Sequence, residues 1–500
     1  MLNGKLAGGL LVLSFTAWGQ NACEQIKSLA YPDTVITSAE IVAAGAYKSP
    51  AAQPGPEQPA LNLPAHCRIA AVLKPSSDSE INIEVWMPAT AWNGKFQAVG
   101  NGGWAGAISF QAMALALQQG YATASTDTGH QGNGQDASFA LGHPEKIIDF
   151  SYRAVHEMTV KAKAMINSYY GRAPRLSYWN GCSTGGRQGL MEAQKYPEDF
   201  DGIIAGAPAN YQTHLHAWSV AMGVAALKQK ASSLSPDNLR LVHQAVLATC
   251  DAADGVKDGL LNDPRRCHFD PSTLMCATNT SENCLTPAQV EAVKKMYTPV
   301  KTQSGALIFP TFEPGSELGW SILAGGPEPA SVATGTFAYL VYKNPKWDWR
   351  TFDAERDTAL ADSTDIINAT KPDLSAFQSR GGKLLMYHGW NDQLIAPENS
   401  INYYSSVLEQ MGPNQGNWYR LFMAPGMMHC RGGPGPDQFN VLGAMERWVE
   451  SGTAPDQMLA AHTAGNRVDM TRPLCPYPQV AQWTGTGNTD DAANFACKNP

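Results

Sequence analysis

The sequence predicts an α/β fold: a parallel sheet covered on both faces, interrupted by a long insertion and then resumed. Three observations predict it. Short apolar strand patterns alternate with helical ones from about residue 81 to residue 206. The alternation breaks down over 210–371, a stretch rich in Gly and Pro that holds four cysteines. It returns at Lys383 and runs to Ser451. Alternation of this kind marks parallel strands joined by crossover helices.

In chain order, residues 81–99 (INIEVWMPATAWNGKFQAV) read as two strands around a turn, the second closed by Gly100-Asn101-Gly102-Gly103. Tyr121–Ser125 reads as a short strand before a polar loop, and 151–170 carries helical periodicity. Leu176–Asn180 reads as a strand, Gly186–Tyr196 as a helix and Gly202–Gly206 as a buried strand. Beyond the insertion, Lys383–His388 is a strand opening on Gly389, Trp418–Met423 a late strand and Asn440–Ser451 an amphipathic helix. The expected division is a leader over 1–19, a first part of the core over 20–209, the insertion over 210–371 and a second part of the core over 372–500.

Composition removes several function classes. Hydrophobic residues make up 44% of the 500 and charged residues 16%, against about 25% charged in typical soluble chains. Disorder needs the opposite balance. The 36 Lys and Arg face 44 Asp and Glu, for a net charge of −8 with no basic run, so nucleic-acid binding has no electrostatic basis.

The first twenty residues, MLNGKLAGGLLVLSFTAWGQ, place one Lys before an apolar stretch from Leu6 to Trp18. Small residues at Ala17 and Gly19 complete an export signal cleaved after Gly19. It is too short for a membrane span, and no other segment is long and apolar enough. Asn21 and Gln20 fit lipid attachment at Cys23 poorly. The expected location is therefore periplasmic or extracellular. Ten cysteines agree, since an even count in an exported chain implies disulfides. The rival, zinc, lacks any Cys-x-x-Cys or His-x-x-x-His spacing.

The central motif is Gly181-Cys182-Ser183-Thr184-Gly185, a G-x-S-x-G between an expected strand and an expected helix. A nucleophile there sits on a strained turn where small neighbours avoid clashes and the hydroxyl stands above the sheet. Such a serine needs a base and an orienting acid. In this architecture the acid follows the serine in the chain and the histidine comes last. Asp392, in His388-Gly389-Trp390-Asn391-Asp392, follows one strand, and His429, in Met427-Met428-His429-Cys430, follows the next. His388 is the rival base, and its place at a strand end favours a structural role. Contact between Ser183 and His429 would bring their neighbours Cys182 and Cys430 within disulfide reach. The expected oxyanion donors are the N–H of Thr184 and that of Gly103, with Gly102 next.

The stretches GCSTGGRQGLMEAQKYPEDFDGIIAGAPA, HGWNDQLIAP and APGMMHCRGG resemble the tannase and feruloyl esterase family of α/β-hydrolases, through nearly all of the chain that follows the leader. The resemblance implies an α/β-hydrolase fold with a large inserted lid domain. It implies hydrolysis of small-molecule esters of aromatic acids by Ser183, His429 and Asp392. In that family a Cys before the Ser pairs with a Cys after the His. Local loop closure and the resemblance together support Cys23–Cys67, Cys182–Cys430, Cys250–Cys267, Cys276–Cys284 and Cys475–Cys497.

The run Cys250-Asp251-Ala252-Ala253-Asp254-Gly255-Val256-Lys257-Asp258-Gly259-Leu260 crowds three carboxylates into eight residues. They repel one another unless water or a cation intervenes, and hard oxygen ligands favour calcium. The spacing is not that of an EF-hand. The resemblance implies a structural lid calcium held by the carboxylates of Asp251, Asp254 and Asp258 and the carbonyls of Val256 and Leu260. For the substrate pocket, Leu394 and Ile395 follow the acid and are expected on the acyl side. Trp320, Phe337, Tyr339 and Tyr342 of the insertion are aromatic candidates, with lid core as the equal alternative. Residues 318–342 contain no Arg or Lys. In the family's terephthalate half-ester hydrolases a lid Arg pairs with the free carboxylate, so its absence there favours a neutral phenolic acyl group. An Arg reaching in from elsewhere, such as Arg350, would reverse this.

Overall fold

The computed structural model describes residues 22–47, 61–277, 283–363 and 366–500; the expected leader lies outside them. Nine strands form one mixed sheet: β1 (Thr34–Val42), β2 (His66–Leu73), β3 (Ile81–Pro88), β4 (Lys95–Val99), β5 (Ala122–Thr126), β6 (Leu176–Cys182), β7 (Gly202–Gly206), β8 (Lys383–Gly389) and β9 (Tyr419–Ala424). Their order is β1-β2-β3-β5-β4-β6-β7-β8-β9. From β5 to β9 every adjacent pair is parallel. β1, β2 and β3 pair antiparallel, as does β3 with β5. The expectation of a parallel sheet therefore fails at one end. Residues 74–80 between β2 and β3 are too few for a crossover, which takes a dozen or more. β3 and β4, consecutive in the chain, are separated in the sheet by β5.

Strands β4, β5 and β7 are buried at every position, as expected where helices cover both faces. Two of the main covering helices, Ala154–Tyr170 and Thr184–Lys195, pack against β5 and against β6 and β7. The second lies unusually close: a Cβ on Gly186 would stand 2.4 Å from the Gly206 carbonyl oxygen. Val441–Ser451 starts where the Asn440 side chain accepts the Gly443 N–H at 2.8 Å.

Between β7 and β8 the chain builds a second core around Trp218, Val293, Met296, Phe309, Phe312, Trp320 and Phe337. Its helices are Gln212–Leu227, Pro236–Cys250, Pro287–Met296 and Ala354–Asp362. Two begin with capping boxes, Ser235 with Asn238 and Thr286 with Gln289, each followed by Pro at the first turn. Gln212–Leu227 is buried on nearly all sides, so it lacks the one-sided periodicity by which helices are recognised in sequence. The ends of the insertion meet where the Ala369 N–H donates to the Asn210 carbonyl at 2.7 Å. Beyond the sheet, a three-stranded and a two-stranded sheet complete the C-terminal part. All five expected disulfides form. No helix among the described residues is long and apolar enough to cross a membrane.

Candidate active site

Ser183 occupies the single residue between β6 and the helix Thr184–Lys195, with φ 63° and ψ −125°. A non-glycine residue there stores roughly 1–3 kcal/mol of strain, and the surroundings must hold it. They do so through its backbone: its N–H donates to Gly206 O at 2.9 Å, and its carbonyl accepts from Ala209 and Arg187, each at 3.1 Å. Neighbouring glycines allow the turn to form, since a Cβ on Gly181 would lie 2.5 Å from Gly185 O.

Asp392 follows β8 in a loop that folds back on its own strand. Its carboxylate is fully buried and takes four hydrogen bonds. Oδ1 accepts the N–H groups of Leu394 at 2.8 Å and Ile395 at 2.9 Å. Oδ2 accepts from His429 Nδ1 at 2.7 Å and His388 Nε2 at 3.0 Å. Burial disfavours the charged form, but the His429 charge and the hydrogen bonds from His388 and His429 outweigh it. Together they hold the carboxyl well below the usual range.

His429 lies in the loop after β9, its backbone N–H donating to Gln393 Oε1 at 3.1 Å. The Cys182–Cys430 bond, with Cα atoms 6.0 Å apart, ties the residue before Ser183 to the residue after His429. With the His429 Nδ1–H donated to Asp392, the imidazole's Nε2 is left as an acceptor for a hydroxyl proton.

The loop after β4 packs directly on the Ser183 turn. Gly185 N–H donates to Asn101 O at 2.8 Å, and the Thr184 hydroxyl donates to Gly103 O at 2.5 Å. Gly103 has φ +54°, and a Cβ there would stand 2.1 Å from Gly134 O, so no larger side chain fits. Thr184 begins its helix, where N–H groups have no partner within the helix itself. The next residue, Trp104, is fully buried, and its indole N–H donates to Val332 O of the insertion at 2.8 Å. This tie between the Gly100–Trp104 loop and the insertion has no signal in the sequence beyond a Trp after a Gly-rich turn.

The expected pocket residues separate into two groups. Trp320 and Phe337 are enclosed within the insertion: Trp320 by Phe312 and Tyr297 with its N–H on Ser316, and Phe337 by Trp347 and Phe352. As packed, both are core of the insertion and not an open wall, which corrects their assignment to the substrate. Ile395 is buried against the same core and Leu394 half-buried beside it. Tyr342 bonds Asp357. Tyr339 lines a groove with Trp347, Lys346 and Arg350. Arg350 is exposed there, 3.2 Å from Asp348 and over the Trp349 ring.

In the aspartate loop, Asp251 Oδ1 accepts the Gly259 N–H at 2.9 Å, Asp254 Oδ1 that of Val256 at 3.1 Å and Asp258 Oδ1 that of Leu260 at 3.1 Å. Asp258 also pairs with the buried Arg472. Burial first, then the charges of Asp258 and Asp251, push Asp254 up to about 6. An all-oxygen donor set whose members repel one another fits a hard divalent cation, and the Cys250–Cys267 bond braces it.

A second group that could hold a metal ion, unrecognised in the sequence, joins the helices Ala154–Tyr170 and Thr184–Lys195: ligand atoms of His156, Glu192 and Asp199 fall within 4.8 Å of one another. His156 Nδ1 already bonds Asp199 at 2.6 Å, and Lys163 caps the Asp199 carbonyl. Burial, then Asp199, raises the Glu192 carboxyl well above its usual range.

Residues 67–498 match the family described as tannase and feruloyl esterase. An uncharacterized esterase of Xanthomonas campestris is 38% identical over 96% of this chain and 92% of its own length. A probable feruloyl esterase B-2 of Neosartorya fischeri is 38% identical over 86% of each chain. The crystal structure of feruloyl esterase B from Aspergillus oryzae superimposes with a TM-score of 0.90 at 34% identity, covering 96% of this chain and all of that one. With more than four-fifths of its length inside the family match and these likenesses across it, the chain belongs to the tannase and feruloyl esterase family.

Proposed function

We propose that the protein is an exported serine esterase that hydrolyses carboxylic esters of aromatic, hydroxycinnamic-type acids through an acyl-enzyme. The observation that carries this reading is the 2.7 Å bond between His429 Nδ1 and Asp392 Oδ2, made beside the disulfide that ties His429 to the Ser183 turn. His429 Nε2 takes the Ser183 proton as the hydroxyl oxygen attacks the ester carbonyl. The same proton passes to the departing alcohol. Water, activated by the same imidazole, then cleaves the acyl-enzyme. Asp392 stays ionised and holds the Nδ1–H tautomer. The N–H groups of Thr184 and Gly103 receive the developing oxyanion, each worth on the order of 3 kcal/mol.

The feruloyl esterase names of the relatives support a hydroxycinnamoyl substrate. So does the absence of Arg and Lys over 318–342. Calcium, held by Asp251, Asp254, Asp258 and the Val256 and Leu260 carbonyls, would screen those carboxylates and stiffen the lid. Export is supported by the leader pattern and by ten paired cysteines.

The test combines a fluorophosphonate probe with initial rates on methyl ferulate, methyl gallate and mono(2-hydroxyethyl) terephthalate. Labelling at Ser183 with methyl ferulate turned over fastest is the expected result. Preference for gallate or the half-ester would make it a tannase or a terephthalate hydrolase. Absence of labelling and turnover would make it a binding protein that kept the fold.

A further inference from the structure

A second histidine grips the acid. His388, the penultimate residue of β8, is fully buried and has partners on both ring nitrogens. Nε2 faces two acceptors, Asp392 Oδ2 at 3.0 Å and the Ile395 carbonyl at 3.1 Å, so that nitrogen carries a proton. Nδ1 lies 2.7 Å from Ser400 Oγ, whose hydroxyl can donate to it and so fix the tautomer. The residues bonded to the ring bracket the whole acid loop. Asp392 carries the carboxylate, Ile395 closes the turn, and Ser400 sits in the first turns of the helix Glu398–Met411.

We infer that His388 is a positioning residue: its Nε2–H clamps Asp392 Oδ2, the oxygen His429 also bonds, and fixes the plane in which the acid meets the catalytic imidazole. The inference rests on the triad reading given above. Oδ1 is pinned by the Leu394 and Ile395 amides, but two bonds to one oxygen leave the carboxylate free to tilt about them. The bond from His388 removes that freedom. It also shares the charge on Oδ2 between two donors, which tempers the pull of Asp392 on the His429 proton. Loss of about 1 Å of placement in such a constellation costs on the order of a hundredfold in rate.

The experiment compares His388→Leu, His388→Gln and Ser400→Ala, with rates normalised to the sites that a fluorophosphonate titrates. His388→Leu removes the donor at similar volume. It should lower kcat about 10- to 100-fold with little change in KM. It should also move the acid limb of the kcat/KM profile to higher pH, because Asp392 then attracts the His429 proton without a competitor. The amide of His388→Gln keeps an N–H near the Nε2 position and should restore most of both. Ser400→Ala should shift the limb the same way by less.

A merely structural histidine predicts lost titratable sites but a normal acid limb and normal kcat per site. Wild-type kcat and limb in His388→Leu, or a His388→Gln as impaired as His388→Leu, overturns the inference. If His388→Leu does not fold, the other two decide: a wild-type limb in Ser400→Ala, or a displaced one in His388→Gln, overturns it. Ser183→Ala separates the two levels. Turnover without Ser183 sinks the triad itself, whereas a dead Ser183→Ala beside an unaffected His388→Leu sinks only the clamp.

Discussion

Two aspartates, one fully buried beside the sheet and one half-buried in the insertion, are held in opposite ways. Asp392 receives two amide N–H groups and two histidine rings, and its carboxyl lies well below the usual range. Asp254 also receives backbone N–H groups, but its charged neighbours are Asp251 and Asp258, and its carboxyl is pushed up to about 6. Burial alone raises both. The surroundings decide the sign: donors that favour the anion in one place, like charges that oppose it in the other. The first arrangement is complete as it stands and suits an acid that must stay ionised while orienting a base. The second has one cation, Arg472, for three carboxylates, and suits a further positive charge.

Removing the group that Asp392 serves should have the largest effect. Ser183→Ala and His429→Ala should each lower kcat by about 10⁵-fold or more, since triad members act as a unit, while the melting temperature stays near that of the parent. Steady-state kinetics on a chromogenic aromatic ester checks this, and normal turnover by either variant would break the catalytic side of the comparison.

Asp392→Asn should cost about 10⁴-fold in kcat by releasing the imidazole tautomer. It also tests the sign of the shift. A carboxyl depressed in the folded state contributes stability that is present above its unfolded value of about 3.9 and is lost as pH falls through the folded value. The stability difference between parent and Asp392→Asn should therefore be largest near neutral pH and shrink below about pH 4, as read by denaturant melts across pH. A difference that grew on acidification would show Asp392 to be held protonated.

Replacing both Cys182 and Cys430 with Ala should come next. The bond spans 248 residues of sequence, so the loop-closure model assigns it about 5 kcal/mol. Because it joins the serine turn to the histidine loop, kcat should fall even in protein that remains folded, which kinetics below the melting transition would reveal. Full activity without the bond would mean that packing alone aligns the two loops.

The insertion should respond in the reverse proportion. Chelation, or Asp254→Ala, should lower the melting temperature more than it lowers kcat at 25 °C. A cation at a hundredfold excess over its Kd contributes about 2.7 kcal/mol to the folded state. A stripped, folded enzyme that lost turnover at an unchanged melting temperature would erase the distinction between the two aspartates.

The residues of the sheet were far more legible than those of the insertion. β6, β7, β8 and β9 read as strands because they are short apolar runs between turn residues, and each lies buried between covering layers. β1 and β2 were passed over. β1 is an edge strand with half-exposed side chains throughout, and strands of that kind carry little hydrophobic contrast. In the insertion, Gln212–Leu227 gives no amphipathic stripe because it has no wet face. The capping boxes at Ser235 and Thr286 were readable signals, but they mark where a helix starts and say nothing of what it packs on.

By itself the sequence determined the strand-to-helix turn carrying Ser183, the chain order of serine, acid and histidine, and the leader pattern; the five cysteine pairs needed the family resemblance beside loop closure. The first three follow from local chemistry: glycines around a turn, motif positions after strands, an apolar run behind one Lys. It left open whether Trp320 and Phe337 face a ligand or one another, and what His388 does. Those outcomes depend on which surfaces meet when residues far apart in the chain pack together. Trp320 closed on Phe312 and Tyr297 because the insertion needed its own apolar core. His388 met Asp392 because the acid loop folds back over the end of β8, and a buried carboxylate oxygen takes the nearest donor that can satisfy it.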